Sequence, residues 1–303
     1  MKKLLSVFLL ASALAANARE VVTIIYGWSP SDTAANFSRT LADEANKVQD
    51  KYTFIFDTRP GAGAAIAANY VGITPNTILA TSTAFWIRPN FFPNESYDVS
   101  QYRELMPNCD APLEVVSKKY QSWKEVPTDR PLSIAVSGLG ITTHLVATEV
   151  AKKYPNLTVI PFKSTTDSVL SVLSGTTDFS VNFMGDGDQY VNATDPKNKL
   201  YALGITGEKA DSKRPTLVSL GFPSVLGKMS APSHLVISKN VPEDKEKEWR
   251  TILMQAGRSK SVLAAYSVDH CSSLNQMPND RLQSWFDKQN ALWKEIAAGV
   301  TLK

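Results

Sequence analysis

Five short stretches of this 303-residue chain gather glycine with hydroxyl side chains, a combination suited to holding an anion. Three lie early: Gly27-Trp28-Ser29-Pro30-Ser31-Asp32, Arg59-Pro60-Gly61-Ala62-Gly63 and Thr81-Ser82-Thr83. Two lie later: Ser137-Gly138-Leu139-Gly140-Ile141-Thr142-Thr143 and Pro161-Phe162-Lys163-Ser164-Thr165-Thr166. Each follows an apolar run and leads toward a helical pattern, so each sits where a strand hands over to a helix N-terminus. Free backbone N–H groups and the helix dipole favour negative charge there, and ligands of open α/β sheets collect at such strand ends. Small residues are also ordinary turn formers. The weight therefore lies in the recurrence across both halves of the chain.

Reaction chemistry has less to work with. Catalysis needs a nucleophile with a base, or paired carboxylates in one cleft, and the chain holds only 3 His and 2 Cys. His144 is the one histidine beside a candidate loop, and no partner for it is evident; His234 and His270 lie elsewhere. There is no Gly-x-Ser-x-Gly elbow, and Gly138-Leu139-Gly140 lacks the third glycine of a dinucleotide fingerprint. Asp186-Gly187-Asp188 hints at a metal loop, but no acid follows at calcium-loop spacing, so a turn is expected. No metal or cofactor is expected.

The elements that must position these loops read as strands and helices in alternation. Val21 to Ile25 is β-branched and continuous, as in a buried strand. From Asp32 to Val48, Phe37, Leu41, Ala45 and Val48 share one helical face. Tyr52 to Phe56 and Thr77 to Ala80 read as strands around a small-residue helix from Ala62 to Val71. A second block runs through strands at Leu132–Val136, Leu157–Ile160, Phe179–Phe183 and Leu200–Ile205, with helices near Thr142–Lys153 and Thr165–Leu173. Leu235 to Ile237 then leads into helical stretches from Pro242, Ser259 and Asp280, which have no strands of their own to cover. The expectation is an α/β protein with largely parallel sheets. Its first domain is split, residues 19–115 plus 228–303, around an inserted domain of 116–227. The chain crossings near Val115 and His234 then form a hinge.

Composition bounds the rest. The length suits two domains, and 43% hydrophobic with 20% charged residues excludes wholesale disorder. A net charge of +3 is too even for a nucleic-acid binder. Lys2 and Lys3, the apolar run Leu4–Leu14 and Ala16-Asn17-Ala18 read as a secretory signal cleaved after Ala18, which lowers the charge to +1. In an oxidising compartment Cys109 and Cys271 can pair or stay as buried thiols; the sequence leaves both open. A secreted enzyme and a secreted surface protein, for which sequons at Asn36, Asn94, Asn156 and Asn192 would count, stay as alternatives.

The stretch RPGAGAAIAANYVGITPNTILATST resembles the signature of Bug-type receptors, the substrate-binding proteins of tripartite tricarboxylate transporters. Ser137-Gly138-Leu139-Gly140 followed by Thr142 and His144, the Pro161-Phe162-Lys163 loop, and Leu173-Ser174-Gly175-Thr176-Thr177-Asp178 match further motifs in order. The resemblance implies a monomeric periplasmic receptor of type II-like fold, two sheets flanked by helices. Its lobes would close on a small carboxylate and hand it to membrane transporter subunits. By position it implies a ligand set of Ser29, Ser31, Asp32, Gly63, Ser137, Gly138, Thr142, Thr143, Ser164 and Thr165. Trp28, Thr81, Ser82, His144, Phe162 and Asp186 are added from the neighbouring loops. Trp28-Ser29 stands where the family has Gly-Gly, so Trp28 either walls the pocket or packs on its own lobe. The expected ligand is a di- or tricarboxylate, or a larger, aromatic carboxylate. Four to six charge-assisted hydrogen bonds at about 1.5–3 kcal/mol each exceed the roughly 8 kcal/mol of a micromolar complex, so Lys163 need not contribute.

Overall fold

The computed structural model describes residues 19–92, 94, 97–211, 213–268 and 270–301. The leader and its cleavage after Ala18 lie outside the described residues. The chain builds two mixed sheets with helices on their faces. In the larger one, β1 (Glu20–Tyr26), β2 (Tyr52–Thr58) and β3 (Thr77–Thr81) run parallel, in the order β11-β4-β10-β3-β1-β2. β10 (Ala231–Ser238) runs antiparallel to β3, β4 (Tyr102–Ala111) antiparallel to β10, and the two-residue β11 (Ser272–Ser273) antiparallel to β4. The smaller sheet has the order β7-β6-β8-β5-β9. Its parallel strands are β6 (Leu132–Val136), β7 (Leu157–Pro161) and β8 (Phe179–Phe183). β5 (Leu113–Ser117) runs antiparallel between β8 and β9 (Tyr201–Ile205).

Mixed rather than largely parallel sheets follow from how the chain changes sheet. β4 and β5 are separated only by Pro112, with no helix to reverse direction, so each runs against its neighbours. Sequence reading leaves both strands out. Pro107, Asn108, Asp110 and the buried Glu104 break the apolar pattern of β4, and the ladder takes register shifts beside Pro107. Val115 lies inside β5 and His234 inside β10. Glu104 and His234, both fully buried, face each other at 2.8 Å, and Trp86 stacks on the imidazole with ring centroids 4.1 Å apart.

Helix α1 (Thr33–Ala45) buries Phe37, Leu41, Ala42 and Ala45 against the larger sheet. The small residues Ala65, Ala67 and Ala68 let α2 (Ala65–Ile73) lie close on it. The short α3 (Ala84–Ile87) follows β3 and is wholly buried. On the smaller sheet, α4 (Thr142–Ala151), α5 (Thr165–Leu173) and α6 (Met184–Val191) follow β6, β7 and β8 in turn. Asp186-Gly187-Asp188 is therefore helix, not the expected turn. Gly187 is what lets it pack: a Cβ there would come within 2.0 Å of Glu114 Oε1. The terminal helices α7 (Glu243–Ala256), α8 (Lys260–Val268) and α9 (Asn279–Ala298) return to the larger sheet, α7 and α8 against α1 and α9 against α3 and β4.

Cys109 and Cys271 are bonded, across 162 residues with Cα atoms 5.4 Å apart. That resolves the two readings left open by the sequence. Among the described residues, no helix is long and apolar enough to cross a membrane.

Candidate functional site

The loops following β1, β3, β6 and β7 converge where the two sheets face each other. They enclose a cavity lined by Trp28, Asp32, Thr81, Ser82, Ser137, Thr142, Thr143 and Thr165 from the sequence-derived set. Tyr26, Phe37, Ile141, Phe183, Ser233 and Cys271 complete much of the wall. Its volume is about 30 Å³, room for one or two waters.

The contacts that close it run from one sheet's loops to the other's. The Thr83 hydroxyl bonds the Thr142 hydroxyl, and Arg88 Nη1 donates to the Leu139 carbonyl at 2.9 Å. A reciprocal pair is more telling. Asp32 occupies the N-cap position of α1 yet makes no cap bond to its own helix. Its carboxylate reaches across to α5 and accepts from Thr166 Oγ1 at 2.9 Å. The exposed N-terminus of α1 is filled in turn by Asp186 from α6, which accepts from the Thr33 backbone N–H and hydroxyl, both at 3.1 Å. Asp186 also accepts from Thr165 Oγ1. Each unit thus supplies the carboxylate that satisfies the other's helix start.

These acids sit in unusual surroundings. Burial and the neighbouring Asp186 push the Asp32 carboxyl up to about 7, and burial pushes Asp186 up as well. Among the described residues no Lys or Arg lines the cavity. Thr81 Oγ1 is buried on the wall and has no hydrogen-bond partner among the described residues. No group of three or more metal-ligating side chains occurs among the described residues.

The other sequence-derived positions are placed differently. Ser31 is exposed and Ser29 half-buried; their hydroxyls bond each other at 2.7 Å outside the wall. Phe162 is half-buried off the wall, and Ser164 caps its own helix by accepting from Asp167 N–H at 3.0 Å. His144 stands behind the wall: its Nδ1 accepts from Gly140 N–H at 3.0 Å, and burial pushes the imidazole down to about 4, so it is neutral. It fixes the 137–141 loop. Trp28 does both things the sequence left open, lining the cavity while packing on Tyr26 with ring centroids 5.4 Å apart. Tyr26 and Phe183 escaped the sequence reading, although each ends a strand, where the strand-end rule could have found it.

Gly63 and Gly138 bring the two units' backbones close together, a Cβ on Gly138 falling 3.9 Å from Gly63 Cα. Gly63 has φ 57° and ψ 42°, and a Cβ on it would meet Ile141 Cγ2 at 2.9 Å. Gly175 also has positive φ, 80°, with nothing within 4 Å. Gly63→Ala is expected to cost about 1–2 kcal/mol from backbone handedness alone, and more than Gly175→Ala because of Ile141. Urea unfolding of both variants checks this; equal losses would show that the cross-unit clash is relieved.

No protein-family model and no curated protein sequence matches the chain. Solved structures match it closely in shape. The periplasmic binding protein BugD superposes with a TM-score of 0.83 at 19% identity, covering 93% of this chain and 98% of its own. Rpa4515 from R. palustris, solved with adipate, gives 0.79 at 19% identity over 94% and 98%. MatC (Rpa3494) from Rhodopseudomonas palustris, with bound malate, gives 0.77 at 15% identity over 92% and 99%. The first of these is a periplasmic binding protein, and the other two hold the carboxylates adipate and malate. The chain has the two-lobed α/β fold of the Bug-type periplasmic binding proteins.

Proposed function

We propose that this protein is a periplasmic solute receptor that captures a small carboxylate-bearing metabolite between two lobes and delivers it to a tripartite tricarboxylate-type membrane transporter. Residues 19–112 with 228–303 form one lobe and 113–227 the other, hinged at the β4–Pro112–β5 crossing and the return before β10. The observation that carries the reading is the ring of hydroxyls and helix N-termini around a cavity held shut by hydrogen bonds between the two sheets' loops. An anion there is stabilised by dipoles and hydroxyls rather than by a counter-charge, which suits reversible capture. Release after delivery needs the same cross-lobe bonds to break. Thr81, Ser82, Ser137, Thr142 and Thr143 form the carboxylate-binding group. Export after cleavage at Ala18 and action as a monomer complete the reading.

The test is a thermal-unfolding screen of the mature protein with aliphatic and aromatic carboxylates, paired with small-angle scattering. A true ligand at a thousand times its Kd adds about 4 kcal/mol, a rise of roughly 5–10 °C for a chain of this size, and the radius of gyration falls. Turnover of a bound compound would instead support an enzyme. Mass spectrometry of small molecules released on denaturation, showing none with a carboxylate, would count against the reading.

A further inference from the structure

Behind the Thr81–Ser82 end of the cavity wall stands a titratable pair that does not itself line the cavity. His234 on β10 is the cross-strand partner of Thr81, and its Nε2 lies 3.3 Å from the Ser82 carbonyl oxygen. On the far side of the ring, Nδ1 meets Glu104 Oε2 at 2.8 Å. The β10–β4 ladder shifts register just before His234 and again after Leu235, and such irregularities re-aim side chains. Rings enclose the imidazole. Trp86 of α3 stacks on it with planes at 11°, and Phe85, Trp285 and Phe286 stand at 6.1, 6.0 and 6.3 Å between centroids. The charged neighbour is Arg250 of α7, whose guanidinium donates to the backbone carbonyls of Glu104 and Leu105 at 3.1 and 2.9 Å. Glu104 Oε1 has no hydrogen-bond partner among the described residues.

A carbonyl oxygen only accepts, so Nε2 carries a proton. The second proton lies on the Nδ1–Oε2 axis. It either completes an imidazolium beside a carboxylate or stays on the acid, with a neutral ring accepting. Burial pushes the Glu104 carboxyl up, which keeps the acid form within reach; the flat indole of Trp86 favours the imidazolium. Both forms have zero net charge, and they differ in dipole. In the first, the positive pole is the ring that touches Ser82. We propose that Glu104 and His234 are the positioning pair of the carboxylate site, holding the Ser82 carbonyl from behind and turning a positive pole toward an anion bound at the Thr81 and Ser82 hydroxyls. The inference rests on the carboxylate-receptor reading and adds the residues that set its preference for charge. An anion in front of Ser82 draws the shared proton from Oε2 to Nδ1. One O–H bond breaks and one N–H bond forms, with no proton exchanged with solvent. The wall, which no Lys or Arg lines among the described residues, thereby gains a cationic backing.

Loss of stability is no test, because exchanging a buried ion pair for other groups shifts stability in either direction. The test is ligand preference, joined to the state of the ring. Calorimetry on the mature protein compares benzoate, adipate and malate with the corresponding amides, in the unaltered chain and in Glu104→Gln. The glutamine keeps the shape and removes the shared proton. Carboxylate affinity is expected to fall about tenfold, the difference between a charge-assisted and a neutral hydrogen bond, with amide affinity changed less than about twofold. Nitrogen-15 spectra of the imidazoles, three in this chain, read the unaltered protein directly and do not depend on the variant folding. His234 is expected to carry a proton on Nε2 throughout, with Nδ1 moving toward the protonated form when the carboxylate is added. Equal weakening of carboxylates and amides by Glu104→Gln overturns the inference and leaves the carboxylate reading standing. So does a bare Nε2, or an Nδ1 signal indifferent to a carboxylate that calorimetry shows to bind. Amides binding as tightly as carboxylates to the unaltered protein, or silence from every carboxylate, overturns both.

Discussion

Replacing Cys109 and Cys271 together by alanine lowers the unfolding free energy by about 5 kcal/mol, because the bond closes a loop of 162 residues and chain entropy scales with loop length. The loop contains every strand of the smaller sheet. Without the bond, the unfolded chain regains the freedom of the entire inserted segment. Locally, the bond also ties the segment before β11, with His270 pairing Asp188 across the cleft at 2.7 Å, to the end of β4. Urea unfolding of the oxidised protein, of the protein in reductant and of the double variant checks the value. A loss below about 1 kcal/mol would mean that the reduced unfolded chain is already compact, since the entropic model assumes a free one.

Arg214→Ala carries the second largest effect, a loss of about 3–5 kcal/mol. Arg214 is 2% exposed and bonds three acids: Glu114 at 2.9 Å, Asp211 at 3.0 Å, and Asp188. Glu114 is fully buried on β5 and also accepts from Asn182 at 2.9 Å. Truncating the arginine leaves that carboxylate buried without a charge partner. Lysine restores only part of the loss, since an ammonium lacks the fork that reaches several acids. The pH dependence has a definite sign. Burial pushes Glu114 up to about 8, above its ordinary 4.5. Its contribution is therefore complete below about pH 4.5 and is lost as pH rises through about 8. Removing the attraction of Arg214 raises the carboxyl further and steepens the loss above neutrality. Equal stability losses for Arg214→Ala at pH 6 and pH 9 would contradict this account.

The parts legible in the sequence are those written locally. Strand-to-helix loops announce themselves by glycine and hydroxyl residues next to apolar runs, and eight of the positions read that way line the cavity. What stayed hidden depends on partners far along the chain. Nothing near Asp32 says that it will abandon its own helix for Thr166, or that Asp186 will take its place. The crossing strands were hidden because their polar residues find partners far along the chain: Glu104 in His234, Glu114 in Arg214 and Asn182. A buried carboxylate in a strand looks like a loop residue until its partner is known. Asp186-Gly187-Asp188 misled for the same reason, its glycine being required by Glu114 rather than by a turn. His144 shows the converse. Its place beside a glycine loop suggested contact with ligand, whereas its ring is spent on Gly140.

Among the described residues, β1 is the first element and α9, packed on α3 and β4, the last, so both described ends belong to the larger sheet. Tension applied between those ends has a covalent bypass through the sulfur bridge. The smaller sheet is out of the load path, and about 570 Å of extended chain, 162 residues long, is shielded from pulling. Half of the cleft can be strained mechanically while the other half cannot, as long as the bridge is oxidised.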